Sequence, residues 1–279
     1  MTIGADLADD LAAEVAYAFN VGVEITGIGI RFYLGGNSTL DGWEEKLRGI
    51  LDDAGRIWRL EAPMTYECSR VLEDDWAERW KVHFKPLRIG KRLLVVPTWE
   101  DARPAPGDLV IRMDPGRAFG TGHHETTRLC LVWLEGWVES WRDSRARSLL
   151  DVGTGSGILA VAAVLLGAEH VMAVDNDPEA IEVAKENIEL NGLSERVQTI
   201  EGSASNVSGR FDAVISNIQA NPLIEMAKTL AERVAAGGRL VLSGILLEQR
   251  ESVRAAYEKE GLRFLDSKAE GEWCLLVLG

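Results

Sequence analysis

Residues 148–177 carry the spacing with the clearest chemistry in this sequence, SLLDVGTGSGILAVAAVLLGAEHVMAVDND. Glycines stand at positions 153, 155 and 157 directly after an apolar run, and Asp175 follows about twenty residues later, as in nucleotide-binding fingerprints. Glycine lets the backbone approach a ligand closely, and a helix that begins there offers free N–H groups. An acid at the end of the next strand can accept hydrogen bonds from ribose hydroxyls. The stretch therefore predicts the nucleotide-binding half of a doubly wound sheet.

The glycine spacing separates two classes of ligand. Dinucleotide enzymes favour G-x-G-x-x-G, whose turn receives a pyrophosphate. Here the spacing is G-x-G-x-G, preceded by Asp151, a form that is commoner where the ligand is S-adenosylmethionine, which has an amino-acid tail and a ribose. We therefore expect S-adenosylmethionine as cofactor, with a nicotinamide-dependent dehydrogenase as an alternative.

A second glycine-rich stretch, DPGRAFGTGHHETT, covers residues 114–127. We interpret it as a hinged loop that folds over the ligand, with Phe119 as an apolar lid. His123, His124 and Glu125 also suggest a metal site. Adjacent histidines at a helix start point in different directions, however, and no second ligand cluster is evident, so we predict no metal.

Besides the two glycine-rich stretches, Asn217 is a candidate ligand-binding residue. It ends a predicted strand, residues 211–217, and parallel sheets bind ligands at the carboxyl ends of their strands. Its amide offers both donors and an acceptor. We expect Asn221 and Pro222 to cap the following helix, predicted over residues 223–234, which leaves Asn217 for the ligand.

The remaining pattern predicts an α/β protein with a Rossmann-like seven-stranded methyltransferase sheet, since the chain ends in a strand pair at residues 264 and 273–278 with no helix between. Before it, helices at residues 5–19 and 41–54 alternate with strands at 21–34, 57–60 and 66–71, which predicts an N-terminal α+β, ferredoxin-like domain. The expected domains are an N-terminal domain, a linker of one helix (74–84) and one strand, and a catalytic domain, at residues 1–67, 68–100 and 101–279.

Bulk properties exclude some classes of function. No apolar run approaches the ~18 residues of a membrane span, and the acidic first ten residues do not resemble a signal peptide. Three scattered cysteines favour free thiols in a reducing cytoplasm. The net charge of −14 disfavours direct nucleic-acid binding, which depends on neutralising phosphates, and is compatible with a basic protein partner.

Several motifs together resemble the bacterial methyltransferases that modify large-subunit ribosomal protein eleven. They are DPGRAFGTGHHETT, LDVGTGSGILA, VDNDP, SNIQANPL and GGRLVLSGIL, with a linker-like stretch DWAERWKVHFKPLRIGKRL. The resemblance implies a ferredoxin-like substrate domain and a catalytic domain that trimethylates amines of that protein. Asn221 stands where the family usually has a small residue, and the sequence pattern predicts no strand before the first helix.

The resemblance also assigns roles to residues of the motifs. By matched motif, it implies cofactor contacts at Thr127, Gly153, Asp175 and Asn217, and we also expect the cofactor to contact Phe119, Gly120, Thr154 and Gly155. Asn217 is expected to receive the N–H groups of the substrate amine, with His124 as a weaker candidate for contact or proton relay. We expect a monomer that methylates lysine or N-terminal amines of ribosomal protein eleven. The alternatives are the lysines of another protein, a small molecule, RNA, or a non-catalytic binding module.

Overall fold

The computed structural model describes residues 5–19, 23–26, 29–32, 34, 42–60, 63–68, 84–114, 120–141 and 147–279. The chain separates into two compact units, Met1–Leu72 and Glu73–Gly279. No helix within the described part of the chain combines the length and the apolar character that a membrane crossing requires.

The first unit contains two helices and a strand pair among its described residues: α1 (Ala5–Phe19), β1 (Val23–Thr26), β2 (Gly29–Phe32) and α2 (Trp43–Ile57). β1 and β2 pair antiparallel, and the helices bury Leu11, Val15, Leu47 and Leu51.

The strand predicted at residues 57–60 is wrong. Instead α2 continues to Ile57, whose side chain is exposed, and a turn at residues 58–59 follows it. Of the strand predicted at 66–71, residues 66–68 lie outside any strand and the rest lie outside the described residues. The ferredoxin-like topology stays a prediction.

The second unit is built on a seven-stranded sheet whose order is β11-β12-β10-β9-β6-β7-β8. The strands are β6 (Ser148–Val152), β7 (His170–Asp175), β8 (Val197–Glu201), β9 (Phe211–Asn217), β10 (Val234–Leu246), β11 (Phe264–Glu270) and β12 (Trp273–Leu278). The five strands β6–β10 pair parallel, and β12 is antiparallel to both β10 and β11. This confirms the predicted α/β fold class and its terminal hairpin. Because β6 lies between β7 and β9, the glycine loop after β6 lies beside Asn217 at the end of β9.

Helices cover both faces of this sheet: α3 (Glu125–Glu139), α4 (Ile158–Leu166), α5 (Pro178–Leu190), α6 (Ala220–Glu225), α7 (Ala227–Glu232) and α8 (Arg250–Lys259). Residues of α3, α4 and α5 belong to one apolar core, and residues of α6, α7 and α8 to the core of the other face. α3 buries Cys130, Leu131 and Leu134, while Trp133 and Trp137 are half-buried.

The single helix predicted over residues 223–234 is a second error. Two short helices meet at Met226, and Val234 already belongs to β10. Asn221 and Pro222 lie inside the first turn of α6, whose N-cap position is Gln219, without a side-chain cap.

A three-stranded sheet precedes α3 and contains β3 (Leu87–Ile89), β4 (Leu93–Pro97) and β5 (Leu109–Met113). The turn between β3 and β4 is held by buried Glu135 of α3, which accepts from Lys91 N at 2.7 Å and from Arg92 N at 2.9 Å. Because β4 and β5 pair directly, the boundary predicted between residues 100 and 101 falls inside a sheet. The predicted linker helix at 74–84 lies outside the described residues except for Phe84, which is irregular.

Candidate active site

The glycine loop connects β6 to α4 and is held by the neighbouring strand. Gly153 N and Thr154 N donate to Val174 O at 2.8 and 3.1 Å. Gly153, Gly155 and Gly157 all have a positive φ, of 73°, 52° and 79°, which disfavours any residue with a side chain. Gly157 occupies the N-cap position of α4, a helix that is apolar on all sides and therefore buried.

Asp175 ends β7 and faces this loop. Its Oδ2 accepts from Gly155 N at 2.9 Å, and its Oδ1 accepts from Asp177 N at 3.1 Å. Asp177 caps α5 by accepting from Glu179 N, with Pro178 at the first helical position. The carboxylate of Asp175 thus lies against the backbone of the glycine loop, where it could also accept hydrogen bonds from ribose hydroxyls.

Asp151, near the end of β6 and separated from Gly153 by Val152, is completely buried. Thr154 Oγ1 donates to its Oδ2 at 2.7 Å, while its Oδ1 has no hydrogen-bond partner among the described residues. Burial, and to a lesser extent the charge of Asp175, raises the pKa of this carboxyl to about 7, against the lowering effects of the Thr154 hydroxyl and of the Ala160 backbone. Asp151 is therefore a carboxyl that changes its protonation near neutral pH.

Asn217 and Thr127 meet at the carboxyl end of β9. Asn217 Nδ2 donates to Thr127 Oγ1 at 3.3 Å, and Thr127 is fully buried in the first turn of α3. Asn217 Oδ1 is a second buried acceptor without a partner among the described residues. A buried polar atom left unpaired costs about 1–3 kcal/mol. A ligand that donates hydrogen bonds here would remove that cost.

His124 is the N-cap residue of α3. Its Nδ1 accepts from Thr126 N at 3.3 Å and lies 2.8 Å from Thr126 Oγ1. Its ring packs edge-on against Trp273, with 5.1 Å between the ring centroids. His123 instead packs its ring against Phe84, so the two histidines point to different neighbours, as expected. Among the described residues, no group of three or more histidine, cysteine or acidic side chains could hold a metal ion.

Gly120 joins the second glycine-rich stretch to the first, because Ser156 Oγ donates to Gly120 O at 2.6 Å. Phe119 lies outside the described residues, so its predicted role as a lid stays a prediction. The other predicted site residues lie together at the carboxyl end of the sheet: Gly120, His124, Thr127, Gly153, Thr154, Gly155, Asp175 and Asn217.

Three further residues of the site escaped the sequence interpretation. Ser156 lies within the quoted glycine motif, but nothing local indicates that its hydroxyl bonds to Gly120. Asn187 donates to Ser156 O from the middle of α5. The only signal for it in the sequence is a polar side chain on the otherwise apolar, buried face of a helix. Ile218, next to Asn217, packs over Gly153.

Fold and site together define the class of this protein. The sheet has seven strands and ends in an antiparallel hairpin. A G-x-G-x-G loop follows the central strand β6, and an acid, Asp175, ends β7, the next strand along the chain. This combination is that of an S-adenosylmethionine-dependent methyltransferase. Comparison with known proteins narrows the class, since residues 44–279 match the family model described as Ribosomal protein L11 methyltransferase (PrmA). The chain belongs to this family.

Individual relatives agree with the family model. The ribosomal protein L11 methyltransferase of Pelobacter propionicus is 42% identical over 292 aligned residues, covering 99% of this chain and 94% of that protein. A relative of the same name from Geobacter sulfurreducens is 45% identical over 260 residues, covering 86% and 84%. The crystal structure of ribosomal protein L11 methylase from Lactobacillus delbrueckii subsp. bulgaricus has a TM-score of 0.64 at 32% identity, covering 70% of this chain and 98% of that one.

Proposed function

We propose that this chain transfers methyl groups from S-adenosylmethionine to lysine side-chain or N-terminal amines of ribosomal protein L11. The observation that carries the proposal is the buried, unpartnered Asn217 Oδ1 at the carboxyl end of β9, beside the glycine loop. An amine nitrogen offers the N–H that this oxygen lacks. The names of the relatives support ribosomal protein L11 as the acceptor.

The residues present fit the cofactor. The backbone of the glycine loop would lie against it, and Asp175 would exchange its bond to Gly155 N for ribose hydroxyls. Asp151 Oδ1 would be satisfied by a donor of the amino-acid tail or by a proton on the carboxyl itself. Gly120, Thr127 and Thr154 would line the same site, together with Phe119. When bound, S-adenosylmethionine supplies a methyl group on a positively charged sulfur.

The amine must lose a proton before it attacks. For a lysine with an ordinary pKa near 10.4, this costs about 4 kcal/mol at a pH of about 7.4, and for an N-terminal amine less than about 1 kcal/mol. A buried site disfavours the ammonium form and so lowers this cost. Asn217 Oδ1 can hold the neutral amine, which leaves alignment as the main contribution of the protein. Because His124 Nδ1 caps α3, the proton relay predicted for His124 would use Nε2.

The proposal includes the setting of the reaction. The N-terminal domain, residues 1–67, would recognise the substrate, and the enzyme would act as a monomer in the cytoplasm on free or assembling ribosomal protein. The net charge of −14 supports a basic protein partner over direct contact with nucleic acid.

The test is intact-mass spectrometry of the host's ribosomal protein L11 after incubation with the enzyme and S-adenosylmethionine. We expect mass additions of whole methyl groups, mapped by fragmentation to lysines or to the N-terminus, and additions that are about 10²-fold slower with Asn217→Ala. Binding of S-adenosylmethionine is measured in parallel by calorimetry. Binding without any mass addition would overturn the assignment of the acceptor and direct the search to other proteins, small molecules and RNA.

A further inference from the structure

The side-chain amide of Asn187 is buried, and both its donor and its acceptor make hydrogen bonds. It lies on the inner face of α5 and is 2% exposed. Its Nδ2 donates to Ser156 O at 2.9 Å, inside the glycine loop, and its Oδ1 accepts from Asp114 N at 3.1 Å, just after β5. One side chain therefore connects two segments that are far apart in the sequence.

Ser156 extends this connection to Gly120. Its hydroxyl donates to Gly120 O at 2.6 Å, and a β-carbon built on Gly120 would lie 2.9 Å from that hydroxyl. Gly120 has a φ of 105° and no room for a side chain, so it accepts this bond at close range. Asp114 is therefore connected to Ser156 through Asn187, and Gly120 is bonded to Ser156 directly.

Gly120 leads directly into the residues of the candidate site on α3. His124 caps that helix, and Thr127 in its first turn binds the amide of Asn217. The place of Gly120 relative to the glycine loop therefore influences where Thr127 and Asn217 lie relative to the cofactor.

Asn191 provides an internal comparison. It is the C-cap residue of α5, one turn beyond Asn187, and it accepts from Arg112 N at 2.9 Å. Its Nδ2 donates to Arg112 O at 2.6 Å and to Asn187 O at 2.7 Å. It thus binds α5 to the same strand by the same chemistry, without touching the glycine loop. A purely structural role in joining α5 to β5 would be shared by both asparagines.

We propose that Asn187 is a positioning residue of the methyl-transfer site, which orients Ser156 so that its hydroxyl holds Gly120, and with it the start of α3, against the glycine loop. The inference rests on the proposed function only for its effect on turnover. The hydrogen-bonded arrangement itself can be tested without any acceptor.

The experiment compares Asn187→Ala, Ser156→Ala, the double variant and the control Asn191→Ala in the full-length enzyme. Hydrogen exchange of peptides covering residues 120–127, calorimetric affinity for S-adenosylmethionine and kcat on ribosomal protein L11 are measured for each. We expect both single variants to exchange faster at 120–127 and to lower kcat by about tenfold, and the double variant to be no worse than either, since coupled residues are not additive. Asn191→Ala should leave all three quantities unchanged.

Additive losses, or equal effects of Asn187→Ala and Asn191→Ala, would overturn the inference and leave Asn187 as a structural residue. If Asn187→Ala does not fold, Asn187→Asp replaces it, because it keeps the acceptor for Asp114 N and loses the donor to Ser156 O. A wild-type enzyme that binds S-adenosylmethionine but does not methylate ribosomal protein L11 would contradict the proposed function alone. Exchange and cofactor affinity would then decide the positioning role.

Discussion

Ile218 fills the space that a side chain on Gly153 would need: a β-carbon built on Gly153 would lie 2.5 Å from Ile218 Cγ2. On its other side, the backbone of Ile218 abuts Gly244 of β10, where a β-carbon would overlap Ile218 O. Ile218 is thus held between two glycines, one of which belongs to the glycine loop. Because it follows Asn217 directly, this packing also fixes the end of β9 relative to that loop.

Gly153→Ala should therefore combine two penalties. The left-handed backbone at Gly153 costs a residue with a side chain about 1–2 kcal/mol, and the overlap with Ile218 adds to this. We expect a lower free energy of unfolding in urea and weaker binding of S-adenosylmethionine by calorimetry. Ile218→Ala in the same chain should recover the part that is due to overlap.

Gly209→Ala is the matched control for this pair, because Gly209 has a φ of 90° and open space around a built β-carbon. It should lose only the strain contribution and keep its affinity for the cofactor. Equal losses of stability in Gly153→Ala and Gly209→Ala, with normal cofactor binding in both, would show that the packing of Ile218 has no such role.

Asn217→Ala and Asp175→Ala should have opposite kinetic signatures. Loss of the acceptor on Asn217 should lower kcat by about 10²-fold, in the range of single positioning or electrostatic groups, and raise the Kd of S-adenosylmethionine by a smaller factor. Loss of the Asp175 carboxylate should mainly raise that Kd. Steady-state kinetics and calorimetry on both variants make the comparison. A normal kcat in Asn217→Ala would remove this residue from catalysis, and unchanged cofactor affinity in Asp175→Ala would contradict the ribose assignment.

His124 has two roles that substitution can separate. His124→Ala removes the N-cap of α3 and should cost about 0.5–2 kcal/mol of stability, whereas His124→Asn keeps a good capping residue. If the imidazole contacts the acceptor or relays its proton, both variants should lose turnover, and only the alanine variant should lose stability. Thermal unfolding and kcat distinguish the two effects. Full activity in His124→Asn would leave His124 as a capping residue only.

The central part of the fold was predictable because its signals are local. The apolar run of β6, the glycines after it, the wholly apolar α4 and the Asp177-Pro178 start of α5 each mark an element boundary by residue type. The predicted helix over residues 223–234 wrongly included Val234 because no such local signal marks the boundary there. No glycine or proline separates α7 from β10, so an apolar helical pattern continues into a strand without a break.

The candidate site divides in the same way. Motifs identified the loops, but the bonds that join the loops connect residues far apart in sequence: Ser156 to Gly120 over 36 positions, Asn187 to Ser156 over 31 and Asn217 to Thr127 over 90. Such contacts depend on how the elements pack. No spacing rule on a single sequence brings these partners together.

Asp151 gives the stability of the enzyme a characteristic pH dependence. Its pKa is about 7 in the folded protein against an ordinary value of 3.8, so between pH ~4 and ~7 the folded state binds more protons than the unfolded state. The contribution of this group to the free energy of unfolding must therefore fall as the pH rises through that range. Asp151→Asn cannot titrate, so the stability difference, wild type minus variant, should fall by about 2 kcal/mol between pH ~5 and ~7 and be flat above ~8.

Urea unfolding at several pH values, without cofactor, measures this difference directly. Thr154→Ala is the companion variant: it removes the hydroxyl that lowers the pKa of Asp151, so the pH range in which stability is lost should extend upward. Parallel stability curves for wild type and Asp151→Asn from pH ~5 to ~8 would show that the carboxyl keeps one protonation state in both folded and unfolded protein. In that case its unpartnered oxygen would have to be satisfied by something other than a proton.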